Sequence, residues 1–100
     1  MKILFVCKAN SGRSQMAEVF LNKMSRKYHA TSAGIHVTKK GQLHGHVIKC
    51  MKEIGYDLSR KRRTQLTPEI AEKPNKIIVI MEPHEVENFL PLYVKNSNKT

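Results

Sequence analysis

Ile3-Leu4-Phe5-Val6 is an unbroken apolar run of strand-forming residues, the pattern of a parallel strand buried on both faces. Small and turn-forming residues from Cys7 to Gly12 end it. Met16, Phe20 and Met24 then recur every four residues, with Ala17 and Leu21 alongside, which predicts a helix from near Arg13 to about Lys27. Ala30 to Ala33 reads as a short second strand ended by Gly34, and His36 to Gly45 as a basic, glycine-containing loop. Val47, Cys50, Met51 and Ile54 share one face of a second helix, which assigns Cys50 to core packing, and Gly55 falls where a helix C-cap favours glycine. Thr67 as N-cap and Pro68 at the first helical position open a third helix that Pro74 closes. Ile77 to Met81 is the clearest strand in the chain. Pro83 and Glu85 open a last short helix to about Leu90, and the tail from Lys95 to Thr100 is polar and without pattern.

Strands alternating with helices predict an α/β fold of three layers, αβα, around a parallel sheet. Right-handed crossovers and a reversal of strand order place a binding crevice at the C-terminal ends of the strands. Cys7 stands at such an end. The length of 100 residues fits a single domain spanning 1–100.

Composition narrows the partners. Apolar residues make up 40% and charged residues 26% of the chain, which fits a packed globular protein rather than a disordered one. The net charge of +10 concentrates anions near the surface. Arg60-Lys61-Arg62-Arg63 reads as a solvated basic turn, and aromatics at 6% are too few to serve as base-stacking platforms, so nucleic acid is not the expected partner. No apolar run approaches the roughly 20 residues of a membrane helix, and no membrane partner is expected. The apolar start is too short for a secretory core of roughly 7–15 residues, which predicts a cytoplasmic protein with Cys7 and Cys50 as free thiols. Their spacing makes no zinc site. His44 and His46 lack a third ligand, so no metal and no organic cofactor is expected.

Cys7-Lys8-Ala9-Asn10-Ser11-Gly12-Arg13-Ser14 carries the chemistry. Five residues between cysteine and arginine can curl so that successive N–H groups point inward and form an anion nest. A helix starting near Arg13 adds its positive dipole end. A thiolate at the rim is favoured by both. Arg13 can bind two oxygens of a tetrahedral dianion as a fork, and Ser14 can donate a hydrogen bond to the Cys7 sulfur. Asn10 tolerates left-handed backbone geometry and can tie the loop with its side chain. Lys8, Ala9, Asn10, Ser11, Gly12 and Arg13 are the residues expected around the anion. A nucleotide loop of the Gly-x4-Gly-Lys type is absent.

The run Val6 to Glu18 resembles the signature of the low-molecular-weight protein tyrosine phosphatases and of the thioredoxin-coupled arsenate reductases that share their fold. Ser32-Ala33-Gly34, Gly55-Tyr56-Asp57-Leu58-Ser59, Arg62, Leu66-Thr67 and Ile80-Met81-Glu82 match further landmarks in order. The resemblance implies a sheet of order 2-1-3. It also implies catalysis by Cys7 through a phosphocysteine intermediate, with Arg13 on the phosphoryl oxygens and Ser14 supporting the thiolate. The implied substrates are a phosphorylated protein or a small phosphomonoester, with phosphate, sulfate or arsenate as the oxyanion held in the loop.

The match fails late in the chain. The family's Asp-Pro general acid has no counterpart, and Asp57 matches a structural landmark instead. Phe89 to Val94 resembles the segment before the fourth strand, so the chain reads as stopping where that strand and the acid begin. Loss of a general acid typically forfeits roughly 10²–10⁴-fold in rate. Glu82 and Glu85 lie in the region for a substitute acid, although charge stabilisation of a helix start is the plainer role. A missing fourth strand leaves an open edge on the third and points to a homodimer through it. Gly12 replaces the second loop cysteine, and no cysteine follows the third strand. An arsenate reductase would then draw on an external thiol. A non-catalytic oxyanion-binding module is the remaining alternative.

Overall fold

The computed structural model describes residues 1–38 and 41–80. Among the described residues six elements follow in chain order: β1 (Lys2–Cys7), α1 (Arg13–Met24), β2 (His29–Gly34), α2 (Gly45–Glu53), α3 (Pro68–Glu72) and β3 (Lys76–Val79). The strands form a parallel sheet of order β2-β1-β3. Cys7 lies opposite Gly34, and Val6 opposite both Ala33 and Val79.

The central place of β1 explains its unbroken apolar run: a strand covered on both faces has no polar side to show. Its side chains alternate between the faces. Leu4 and Val6 pack with Ala33, Leu66, Ala71 and Ile77 on the α3 side. Ile3 and Phe5 pack with Ala30 against Ala17 and Leu21 of α1. α2 sits on the outer flank of α1, where Met51, Leu43 and Leu58 meet Met16, Val19 and Phe20, and Phe20 meets Tyr56 ring edge to face at 5.5 Å.

Local signals end the helices. The Thr67 hydroxyl accepts from the Ile70 amide at 3.3 Å, which caps α3. Gly55, at φ 94°, lets the chain leave α2 through the left-handed region, with its amide on Lys52 O at 3.0 Å. The outer edge of β2 is partly closed by a side chain. Asn22 of α1 donates to Ala30 O at 3.0 Å and accepts from Ala30 N at 2.8 Å, the two bonds a neighbouring strand would supply.

Three expectations need correction. α1 ends at Met24 rather than Lys27, and Met24 is 82% exposed. The apolar contacts of α1 with sheet and α2 are made by Met16 to Leu21; in the next turn Asn22 faces β2, and Met24 joins none of the apolar clusters among the described residues. Cys50 is exposed rather than packed in the core. The buried side of α2 runs through Val47, Ile48 and Met51, so Ile48 and not Cys50 flanks it, and the Cys50 sulfur lies 3.6 Å from His46 Nε2. Ile54 is the C-cap of α2 and is likewise exposed. β3 stops at Val79, although the Ile80 amide still donates to Val6 O at 2.7 Å.

The expectations for Met81, Glu82, Glu85, the helix from Pro83 to Leu90, the Phe89 to Val94 segment and the tail lie outside the described residues. No helix among the described residues is long and apolar enough to cross a membrane.

Candidate functional site

Residues 8–12 carry the chain from the end of β1 into α1. The turn is made at Asn10, which adopts φ 54°, a left-handed conformation that asparagine accepts better than most residues. Its amide donates to the Cys7 sulfur at 3.2 Å. The Ser14 hydroxyl stands 2.9 Å from the same sulfur. Cys7, Asn10 and Ser14 are all buried, yet Cys7 belongs to none of the three apolar clusters. Its sulfur faces polar groups of the loop, which a cysteine serving as a small core hydrophobe would not do.

Backbone groups fix the direction of the hydrogen bonds. Thr64 N–H, which only donates, points at Asn10 Oδ1 at 2.7 Å. That fixes the Asn10 carboxamide, so its Nδ2 faces Ser14 Oγ at 2.8 Å. With Ser14 Oγ accepting there, its proton is free for the sulfur. Gln15 is oriented in the same way. Arg62 O, which only accepts, takes a bond from Gln15 Nε2 at 3.0 Å. The same nitrogen donates to Asn10 Oδ1 at 2.9 Å and reaches Asn10 O at 3.4 Å. Two donors therefore converge on the Cys7 sulfur, an arrangement suited to a thiolate.

Neighbouring segments hold the loop from outside. Ile35 N donates to Cys7 O at 3.0 Å, His36 N to Lys8 O at 2.8 Å and His44 N to Ser11 O at 3.3 Å. Gly34 lies so close beneath that a Cβ there would stand 2.8 Å from Asn10 N and from Lys8 O. Gly34 is itself fixed, its N on Thr64 O at 2.8 Å and its O on Leu66 N at 2.7 Å.

The mouth of the loop is basic. Lys8 and Arg13 are exposed, while Ala9, Ser11 and Gly12 are half-buried. Arg13 opens α1, whose first turn has no acidic residue and no side-chain cap. Its first amides thus lack intrahelical acceptors and point, with the dipole, toward the loop. Among the described residues, no group of three or more His, Cys, Asp or Glu side chains is placed to hold a metal ion. Asp57 does not reach this site. It accepts from Ser59 N at 2.9 Å, and its hydrogen bonds to Ser59, with smaller help from Lys52 and Arg60, hold its carboxyl below the ordinary 3.8. A cavity of 520 Å³ borders Gln15, Glu18, Ser32, Lys61, Arg62 and Thr64, and Cys7 does not line it. There Glu18 accepts from Ser32 Oγ at 2.7 Å and pairs with Lys61.

The structure therefore brings together Cys7, Asn10 and Ser14, with Arg13 at the helix start beside them. Sequence reasoning missed the supports. A polar Gln15 next to Ser14 near the head of an apolar-patterned helix was a faint signal. The Thr64 amide and the Arg62 carbonyl are backbone groups and leave none.

A short loop that carries a buried cysteine from the C-terminal end of a central parallel strand into a helix defines the architecture, and the comparisons give the family. The chain belongs to the low molecular weight phosphotyrosine protein phosphatase family, whose model matches residues 2–100. Among curated relatives, the glutaredoxin arsenate reductase of Synechocystis is 42% identical over 59 residues, 58% of this chain and 43% of that protein. Arsenate reductase 1 of Staphylococcus epidermidis is 33% identical over 101 residues, 97% of this chain and 70% of that protein. Among solved structures, Vibrio vulnificus Wzb in complex with benzylphosphonate is similar with a TM-score of 0.82 at 27% identity, covering 95% of this chain and 67% of that one. The chain thus spans less than half the length of the first of these relatives and about two thirds of the other two.

Proposed function

We propose that this protein is a cysteine-dependent enzyme whose first step is attack by Cys7 on the central atom of a tetrahedral oxyanion, and that it hydrolyses phosphomonoesters. The convergence of Asn10 N–H and Ser14 Oγ on the Cys7 sulfur carries this reading. Sulfur attacks phosphorus, the ester P–O bond breaks, and the leaving oxygen takes its proton from solvent to depart as the alcohol. Arg13 and the first amides of α1 bind the phosphoryl oxygens. Water then cleaves the S–P bond, releasing phosphate and restoring the thiolate that Ser14 supports. The Wzb complex with a phosphonate favours an oxyanion in the loop.

A second reading has its own support. Both curated relatives are named arsenate reductases. There sulfur displaces a hydroxyl of arsenate. An external thiol then attacks the Cys7 sulfur, and the S–As electron pair passes to arsenic. Arsenite leaves, and a mixed disulfide remains for a second thiol to reduce.

Two assays separate the readings. Hydrolysis of p-nitrophenyl phosphate by wild type and not by Cys7→Ser supports the phosphatase. Thiol-dependent arsenite formation without ester hydrolysis supports the reductase. Activity that survives Cys7→Ser refutes both.

A further inference from the structure

Gln15 is fully buried, yet among the described residues only one end of its carboxamide is used. Nε2 faces three acceptors, Asn10 Oδ1, Asn10 O and Arg62 O, while Oε1 is buried with no partner among the described residues. A buried acceptor without a donor is costly, so a methionine of similar shape would suit the helix as well or better. What the amide supplies and methionine cannot is a donor held against the back of the loop.

We propose that Gln15 is a positioning residue for Cys7, acting through Asn10; this rests on the oxyanion-processing role proposed for Cys7. Asn10 has two tasks at the sulfur. Its backbone amide donates to Sγ, and its Nδ2 donates to Ser14 Oγ and so turns the Ser14 proton toward Sγ. Both require the left-handed backbone at residue 10 and one orientation of its carboxamide. The carbonyl end of that carboxamide has two donors, Thr64 N and Gln15 Nε2. Gln15 also reaches Arg62 O, which ties the donor-bearing 62–64 segment to the head of α1. Removing Nε2 leaves Thr64 N as the one donor among the described residues on Asn10 Oδ1, and it removes the direct tie between α1 and Arg62 O, although the 62–64 segment keeps its bond from Gly34 N to Thr64 O.

The test is the rate at which iodoacetamide alkylates Cys7 at neutral pH, in a Cys50→Ser background where Cys7 is the only thiol. Melting temperature and protection by phosphate or arsenate are measured alongside. Gln15→Met should leave melting within about 5 °C of the parent, because the loss of donor bonds is offset by removal of the orphaned acceptor. Alkylation should slow roughly tenfold, the order expected when a bond to an anionic sulfur is misaligned. Gln15→His returns a neutral ring N–H donor toward the same oxygens and should restore the rate to within about threefold. A purely structural residue would lose melting temperature and reactivity together. Alkylation of Gln15→Met at the parental rate overturns the proposal, as does a Gln15→His protein no faster than Gln15→Met. If Gln15→Met does not fold, the histidine variant decides: a rate within about threefold of the parent supports the proposal, and a larger deficit overturns it. Failure of phosphate and arsenate to slow alkylation of the parent would sink the oxyanion reading instead, leaving the comparison among Gln15 variants intact.

Discussion

Replacing Gly34 by alanine tests whether the shape of the loop depends on a backbone passing directly beneath it. A Cβ at residue 34 would lie 2.8 Å from both Asn10 N and Lys8 O and 2.9 Å from Ala9 C. Ordinary contact begins near 3.4 Å, so something must move by about 0.6 Å, the difference between 3.4 and 2.8. All three obstacles are backbone and have no rotamer through which to escape. Gly34 itself is held on Thr64 O and Leu66 N at 2.8 and 2.7 Å and sits in register with Cys7, so the loop must yield. Overpacking of this kind costs about 1–3 kcal/mol. In a domain of this size each kcal/mol lowers the melting temperature by about 4–8 °C, giving a fall of roughly 4–24 °C. Because the moving atoms carry the donor to the Cys7 sulfur, phosphate protection of Cys7 should weaken in the same variant. Circular dichroism melting and protected alkylation measure the two effects. Gly45→Ala is the control: among the described residues nothing lies within 4 Å of its new Cβ, and stability should be unchanged or slightly higher. A Gly34→Ala protein that melts within about 2 °C of wild type, with protection intact, would refute the reasoning.

Other variants probe the frame. Thr67→Ala removes the hydroxyl that accepts from Ile70 N and should cost about 1 kcal/mol, read by denaturant titration. Cys50→Ser changes an exposed side chain, so stability should stay within about 0.5 kcal/mol and the phosphate protection of Cys7 should not change. For Asp57, bonds to Ser59 depress the carboxyl below 3.8. Its contribution is therefore present above that value and is lost as pH falls through the depressed one. The melting temperature of wild type should exceed that of Asp57→Asn near pH 7, and the gap should close in acid; a gap that widens in acid contradicts the assignment.

The elements were legible wherever one physical cause acted alone. Ile3 to Val6 announced a doubly covered strand because nothing polar interrupts it. Thr67-Pro68 and Gly55 marked helix ends because capping and left-handed turns are local matters. The errors arose where a second layer decided the outcome. Cys50 and Ile48 fit the periodicity of α2 about equally well, and only the position of α1 settles that Ile48 is covered. Met24 continues the spacing of Met16 and Phe20, yet it joins none of the apolar clusters among the described residues.

The candidate site divides along the same line. Cys7, Asn10, Arg13 and Ser14 were readable from the sequence because they are neighbours in the chain and their side chains hold the relevant atoms. What tertiary structure alone decided is how they are held. The Thr64 amide lies 54 residues away in the chain from the Asn10 carboxamide it orients. The Arg62 carbonyl anchors Gln15 across 47 residues, and Gly34 admits the loop above it. A sequence displays side chains and their spacing. It cannot display a backbone N–H, a backbone C=O or an empty space, because every residue but proline offers the same amide and only the fold says which one arrives.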